Sequence, residues 1–449
     1  MIYCCAYAET RSRGSFGIFF IFLFLFVIGV VAADEISFPV LPRVVKEVDK
    51  LAVVEADKCY RDALLSAESG NINDAIQEAI LGITKNPNHK ELREFFGYRL
   101  YEDEWRLNWE IKRLQDYADH PQFGWIRKEH VKRYESGERP INAIKWGSIN
   151  DANSRRAKIR DGWKISTPHY EIVTNHSLEE GITKSRELEH LYNAWQFLMI
   201  GCLNNDAKIK NLFQKKSQVE QNIRHKVTIY RDKNDYVVDL SKVDSGIAKS
   251  NGYYLPRLRQ AYFFVVSPEA DDLERGAARK VLLHEASHQL FYEPRSTSRT
   301  GELAGSRCNF FLVEGLAMFM ETLRIKNDQY ILGDITDERL YAAKYNVQKL
   351  NFYVPFAWLA KMGVNEFQSQ EELAKYYSQS AAMTHFLIFA NDGKYRNAFF
   401  KLIRQIHLGI DKPDALAKLT GCSCEELDKQ YKKYLNKIPD TIDENKFDH

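Results

Sequence analysis

The stretch ARKVLLHEASHQLF, residues 278–291 of this 449-residue chain, predicts a helix that carries a metal-binding motif. His284 and His288 are four residues apart, so a helix places both imidazoles on one face, where they can reach one metal ion. Glu285 lies beside the first histidine, where a general base for a metal-activated water is needed. The alternative is an ordinary amphipathic helix without a metal. In that case, burying two histidines in the protein interior without partners would cost folding free energy.

A third ligand is required, because catalytic zinc sites use three protein ligands and keep one position for water. The next candidate is Glu314, which we expect to open a second helix in FFLVEGLAMFME, residues 310–321. On a helix packed against the first, Glu314 completes a His, His, Glu set of the kind used in peptide hydrolysis. The alternative role for Glu314 is a carboxylate stabilised by the helix dipole. Glu321, on a later turn, could orient a ligand or be solvated.

Three stretches together resemble the landmarks of gluzincin-like peptidases of the MA clan: HEASHQLF (284–291), VEGLAMFME (313–321) and YYSQSAAMTHFL (376–387). They are most similar to a bacterial family of exported HExxH proteins known as a domain of unknown function. The resemblance extends through FGWI and GERP upstream and through residues 416–435. It implies a zinc peptidase fold with an active-site helix beneath an edge strand, and leaves the substrate unassigned. The sequence departs from several classical families at Met318, where they place an acidic residue that orients a ligand.

The resemblance also gives a role to Tyr377, which falls at the tyrosine of the family's YxQS stretch. Its hydroxyl would donate to the oxyanion formed at the scissile carbonyl. Tyr376 is equally well placed for this role. The alternative for both tyrosines is a position in the hydrophobic core. We expect His385, two turns further on, to be buried packing.

The alternation of apolar and polar residues predicts an α+β fold whose catalytic domain starts near residue 165. The resemblance implies that residues 165–449 form a zincin-like domain. Strands are expected near Tyr170, near Ile229 and over Ala261–Val266, with a helix over 179–200. Upstream, residues 34–117 predict a helical, tetratricopeptide-like hairpin that turns at Gly70 and packs on further helices over 90–117. Residues 118–164 are interpreted as a connecting region. A chain of this length favours two folded units.

Residues 1–33 predict a secretory signal peptide, because Arg11 and Arg13 precede an apolar stretch that ends in small residues. Cleavage would begin the mature chain at Asp34, and the protein would be secreted or periplasmic. The alternative is an uncleaved membrane anchor over 16–33, which is just long enough to span a bilayer.

The charges argue against a polyanionic partner, since 63 Lys and Arg nearly cancel 61 Asp and Glu and no nucleic acid is expected. Five cysteines follow the signal segment, an odd and sparse set that makes no disulfide framework. Of these, Cys422 and Cys424 are expected to be structural or to form a single bridge.

These observations predict an exported enzyme with one zinc ion per chain that hydrolyses peptide bonds in a peptide or protein substrate. Glu285 would take the proton of the attacking water, and substrate backbone would pair with the strand over Ala261–Val266. One alternative is a catalytically silent exported scaffold that binds a protein partner through the helical N-terminal region. Another is a zinc-dependent hydrolase of a different bond.

Overall fold

The computed structural model describes residues 34–216, 224–294 and 303–440. The helices are α1 (Lys50–Glu68), α2 (Ile72–Lys85), α3 (Lys90–Phe95), α4 (Asn108–Arg113), α5 (Val131–Glu135), α6 (Ile149–Arg155), α7 (Leu178–Leu203), α8 (Asp206–Phe213), α9 (Lys233–Leu240), α10 (Asp272–Tyr292), α11 (Phe310–Glu321), α12 (Glu338–Gln348), α13 (Phe356–Leu359), α14 (Val364–Gln368), α15 (Leu373–Gly393), α16 (Arg396–Leu408), α17 (Ala415–Thr420) and α18 (Cys424–Tyr434). The strands are β1 (Ile36–Pro39), β2 (Tyr98–Tyr101), β3 (Glu104–Leu107), β4 (Tyr117–His120), β5 (Gly124–Arg127), β6 (Arg139–Pro140), β7 (Trp146–Gly147), β8 (Trp163–Ser166), β9 (Tyr170–Thr174), β10 (His225–Tyr230), β11 (Tyr253–Leu255), β12 (Gln260–Phe264), β13 (Arg324–Lys326) and β14 (Gln329–Leu332). This mixture confirms the predicted α+β class.

The main sheet has five strands in the order β11, β12, β10, β9, β8. Its three central strands are parallel, and β8 and β11 run antiparallel to their neighbours at the two edges. The strands expected near Tyr170 and Ile229 are β9 and β10. Because β12 leads directly into α10, the helix with both histidines packs against β11 and β12.

The prediction that Ala261–Val266 offers a free edge to substrate is wrong. The first four residues of that segment lie in β12, which is between β10 and β11 in the sheet. The strand that takes the edge is β11, and its three residues, Tyr253–Leu255, are too few to show an alternating pattern in the sequence.

The prediction of helices throughout residues 90–117 is also wrong. After the short α3, strands β2 and β3 form an antiparallel hairpin in which Tyr101 pairs with Glu104. Its turn places Glu102 and Asp103 at φ of 49° and 63°, a left-handed conformation that ends a helical pattern.

The N-terminal part of the chain shares a core with the rest, although two folded units were expected. Helices α1 and α2 form a hairpin that packs on α7 and α8. Strand β1 pairs antiparallel with β14, with Ile36 opposite Leu332, and one cluster of buried apolar side chains runs from Ile36 to Ile438. The predicted signal peptide, residues 1–33, lies outside the described residues. Within the described ranges, no helix combines the length and the apolar character needed to cross a membrane.

Helix α11 is buried along its whole length, because it packs on α10 on one side and on α15 on another. Its start is held by two backbone bonds, from Asn309 N–H to Ala360 O at 3.1 Å and from Phe310 N–H to Met362 O at 3.2 Å. Gly315 allows the close approach of α15, since a Cβ there would lie 2.0 Å from Thr384 Oγ1 and 2.8 Å from Ser380 O.

We therefore expect Gly315→Ala to lower the free energy of unfolding by about 1–3 kcal/mol, because the added methyl group forces α11 and α15 apart. Chemical denaturation followed by circular dichroism measures the change. Gly246→Ala, at an exposed loop position, is the control with a small expected effect. Equal stability of the two variants would contradict this account of the helix contact.

Candidate functional site

Helix α10 presents both histidines of the motif to one point. The helix begins after Asp271, whose carboxylate accepts a hydrogen bond from Glu274 N–H at 2.8 Å. Its buried face carries Leu283, Ala286 and Leu290. The spacing of four residues brings His284 Nε2 and His288 Nε2 to 3.1 Å from each other.

Glu314 completes the cluster from α11. Its Oε2 lies 3.3 Å from His284 Nε2 and 3.4 Å from His288 Nε2, and the residue is 3 % exposed. Glu314 does not open its helix as expected, because α11 begins one turn earlier at Phe310. Its position therefore follows from packing against α10 rather than from a helix end.

The three ligand atoms fit a tetrahedral metal ion. Ligands at 2.0–2.1 Å from zinc are separated by about 3.3–3.4 Å along a tetrahedron edge. The three observed separations lie between 3.1 and 3.4 Å. Within the described ranges, His284, His288 and Glu314 are the group of His, Cys, Asp or Glu side chains whose ligand atoms lie close enough together to hold one metal ion. Glu314 Oε2 is buried there without a well-aligned hydrogen-bond donor.

The buried carboxylates and imidazoles of the site favour each other's charged forms. Burial opposes the charged form of His284, but Glu314 and Glu321 outweigh it and raise its pKa to about 10. Burial likewise opposes the charged form of Glu314, but His288 and His284 hold its pKa at about 2. The cluster thus combines buried negative and positive charge, an environment that a divalent cation can enter by replacing a proton.

Glu285 is held beside this cluster by the edge strand of the sheet. Its Oε2 accepts a hydrogen bond from the backbone N–H of Tyr254 in β11 at 2.9 Å. Burial raises the pKa of Glu285, and His284 and His288 act in the opposite direction. The backbone contact was not foreseen from the sequence, because β11 itself was not recognised there.

Behind the cluster, Glu321 is a buried partner of His284 rather than a solvated residue. Its Oε1 lies 2.7 Å from His284 Nδ1, and the residue is 3 % exposed. Arg339, from α12, donates to both oxygens of Glu321, with Nε to Oε2 at 2.7 Å and Nη2 to Oε1 at 3.0 Å. No local pattern in the sequence points to Arg339, which lies 18 residues further along the chain.

Besides burial, the carboxylates at the cluster raise the pKa of Tyr377, whereas a different carboxylate acts on Tyr376. Burial raises the pKa of Tyr377, and Glu314 and Glu285 raise it further, whereas the carboxylate that adds to the effect of burial on Tyr376 is Glu372. The Tyr377 hydroxyl accepts a hydrogen bond from Gln368 Nε2 at 2.9 Å. The Tyr376 ring contacts Phe352 and Phe367, and the Tyr377 ring also contacts Phe367.

The other candidate residues do not contribute to the cluster. His385 is buried packing as predicted, with its Nδ1 at 2.8 Å from the Tyr434 hydroxyl. Cys422 and Cys424 are both free thiols, so the possible single bridge between them is absent, and the other three described cysteines are also free.

In comparisons with known proteins, no family model matches this chain and no curated protein matches it. The resemblance to gluzincin-like peptidases therefore stays a prediction based on motifs.

Proposed function

We propose that this protein is an exported zinc-dependent peptidase with a zincin-like fold of the gluzincin type. The observation that carries the proposal is the convergence of His284 Nε2, His288 Nε2 and Glu314 Oε2 beside the Glu285 carboxylate. Three protein ligands leave one tetrahedral position for water, as catalytic zinc sites do and structural ones do not. The proposal of export rests on the signal-like sequence of residues 1–33.

The chemistry divides between the metal and the side chains around it. A bound zinc ion supplies Lewis acidity, which acidifies water and polarises a carbonyl group. Glu285 accepts the proton of the attacking water and then donates it to the leaving nitrogen. The Tyr377 hydroxyl donates a hydrogen bond to the oxygen on which negative charge develops.

The sheet edge next to Glu285 supports a peptide as the substrate class. Along a strand, successive backbone groups point alternately to the neighbouring strand and away from it. Tyr254 N–H points away from β12 and reaches Glu285, so the outer edge of β11 faces the general base. An extended peptide or protein segment added to this edge would place its backbone beside the cluster.

We expect the purified protein to contain about one zinc ion per chain, and Glu314→Ala to lose it, because two histidines alone do not complete the site. Metal analysis after dialysis measures the content. Glu110→Ala is the matched control, since Glu110 is also 3 % exposed but lies far along the chain in α4, where it pairs with Arg43. If the wild type binds no zinc even after reconstitution, the scaffold interpretation becomes the better one.

We expect Glu285→Gln to keep zinc and the native fold but to cleave peptide bonds about 10²–10⁴-fold more slowly, because the amide cannot accept the proton. The glutamine oxygen can still accept the hydrogen bond from Tyr254 N–H. New protein termini formed in a proteome digested with wild type and with the variant would measure the activity.

The control for this variant is Glu274→Gln, an exposed glutamate in the first turn of the same helix, which should cleave like the wild type. A zinc-loaded Glu285→Gln protein that cleaves at the wild-type rate would refute the assignment of the base. A zinc-loaded wild type that forms no new termini would favour hydrolysis of another bond.

A further inference from the structure

The tautomer of His284 is set from outside the ligand cluster. An imidazole whose Nδ1–H donates to a carboxylate keeps the lone pair of Nε2 free for a metal ion, and its ring is fixed in orientation. His284 has this arrangement, with Nδ1 at 2.7 Å from Glu321 Oε1 and Nε2 facing Glu314. Glu321 can do this only while its carboxylate is ionised and correctly turned.

Arg339 fixes both properties of Glu321. The guanidinium meets the carboxylate through two nitrogens, Nε and Nη2, at 2.7 and 3.0 Å, and such two-point pairing sets the carboxylate plane as well as its charge. The Glu321 side chain is 1 % exposed, so Arg339 rather than bulk water satisfies its carboxylate in the folded protein. Lysine could supply the charge but not the planar fork.

The position of Arg339 is tied to the helix that carries His284. Arg339 is the second residue of α12, and its N–H donates to the side chain of Asp337 at 2.9 Å. Lys280, one turn before His284 on α10, donates to Asp337 Oδ2 at 2.9 Å and lies 3.1 Å from Glu338 Oε1. These contacts hold the start of α12 beside α10 and bring the guanidinium to Glu321.

We propose that Arg339 is a positioning residue of the metal site, which acts on His284 through Glu321 and thereby raises the affinity for zinc. The inference rests on the proposed function, because it assumes that His284 is a zinc ligand. It assigns to α12 a role in metal binding, although the three ligand side chains, His284, His288 and Glu314, come from α10 and α11.

The test is a double-mutant cycle on zinc affinity, measured by competition with a chromophoric chelator. We expect Arg339→Gln and Glu321→Gln each to raise the zinc Kd about 10–100-fold. The double variant should bind zinc no more weakly than Glu321→Gln alone, because Arg339 has no effect once its carboxylate is gone. Arg339→Lys should lie between Arg339→Gln and the wild type, and the absorption spectrum of the cobalt-substituted protein should change in Arg339→Gln.

Arg324→Gln is the matched control, since Arg324 also pairs with carboxylates and its side chain is 34 % exposed against 33 % for Arg339. Its zinc Kd should equal that of the wild type. If Arg339→Gln leaves buried Glu321 unpaired and does not fold, Arg339→Lys, which keeps the charge, shows whether zinc affinity depends on Arg339. The double variant against Glu321→Gln then shows whether the effect runs through Glu321, with thermal unfolding measured for all three.

Three results would overturn the inference. If Arg339→Gln binds zinc with the Kd of the wild type, Arg339 does not act on the metal site, whether or not the KM for a peptide substrate changes. Weaker binding in the double variant than in Glu321→Gln would show that it does not act through Glu321. A wild type without zinc would remove the inference together with the proposed function, whereas the first two results leave that function intact.

Discussion

The contact between α10 and α11 is the constraint on which the site depends, because it sets a buried carboxylate against two histidines. A carboxylate buried without a partner costs several kcal/mol, and the pairing of Glu314 with His284 and His288 offsets that cost. The other residues of α11 are almost all apolar and buried, so the helix is fixed by packing on every side. Apolar side chains surround Glu314 on α11, and the polar partners of its carboxylate are the two histidines of α10.

The C-terminal part of the chain positions Glu314 without supplying a ligand. Asn309, which precedes α11 in the left-handed region at φ 55°, donates through Nδ2 to Asp411 Oδ2 at 2.9 Å and to Lys412 O at 3.1 Å. At Gly363 a Cβ would lie 2.1 Å from Ser306 O, so this segment also passes close to the chain that leads into α11. Residues far from the motif in sequence therefore fix where its third ligand lies.

The ligand cluster could be predicted from the sequence because each part has a local signal. The spacing of His284 and His288 requires only a helix, and Glu314 stands in a second strongly apolar segment. The parts that were missed depend on contacts between distant segments. Strand β11 has three residues and exists only through its pairing with β12, and Arg339 reaches Glu321 through the packing of α12. The hairpin of β2 and β3 was missed because its turn places non-glycine residues at positive φ.

Two glutamates of α11, one on each side of Met318, reach the same imidazole. Residues seven apart lie two turns apart on one helix face, so Glu314 and Glu321 both face α10 and meet the two nitrogens of the same imidazole, Nε2 and Nδ1. Met318 lies between them on α11 and is buried as an apolar residue. The carboxylate that orients His284 is thus Glu321, one turn beyond Met318. A glutamate is longer and has one more rotatable bond than an aspartate, so at this position it needs a second partner to fix its carboxylate, and Arg339 provides it.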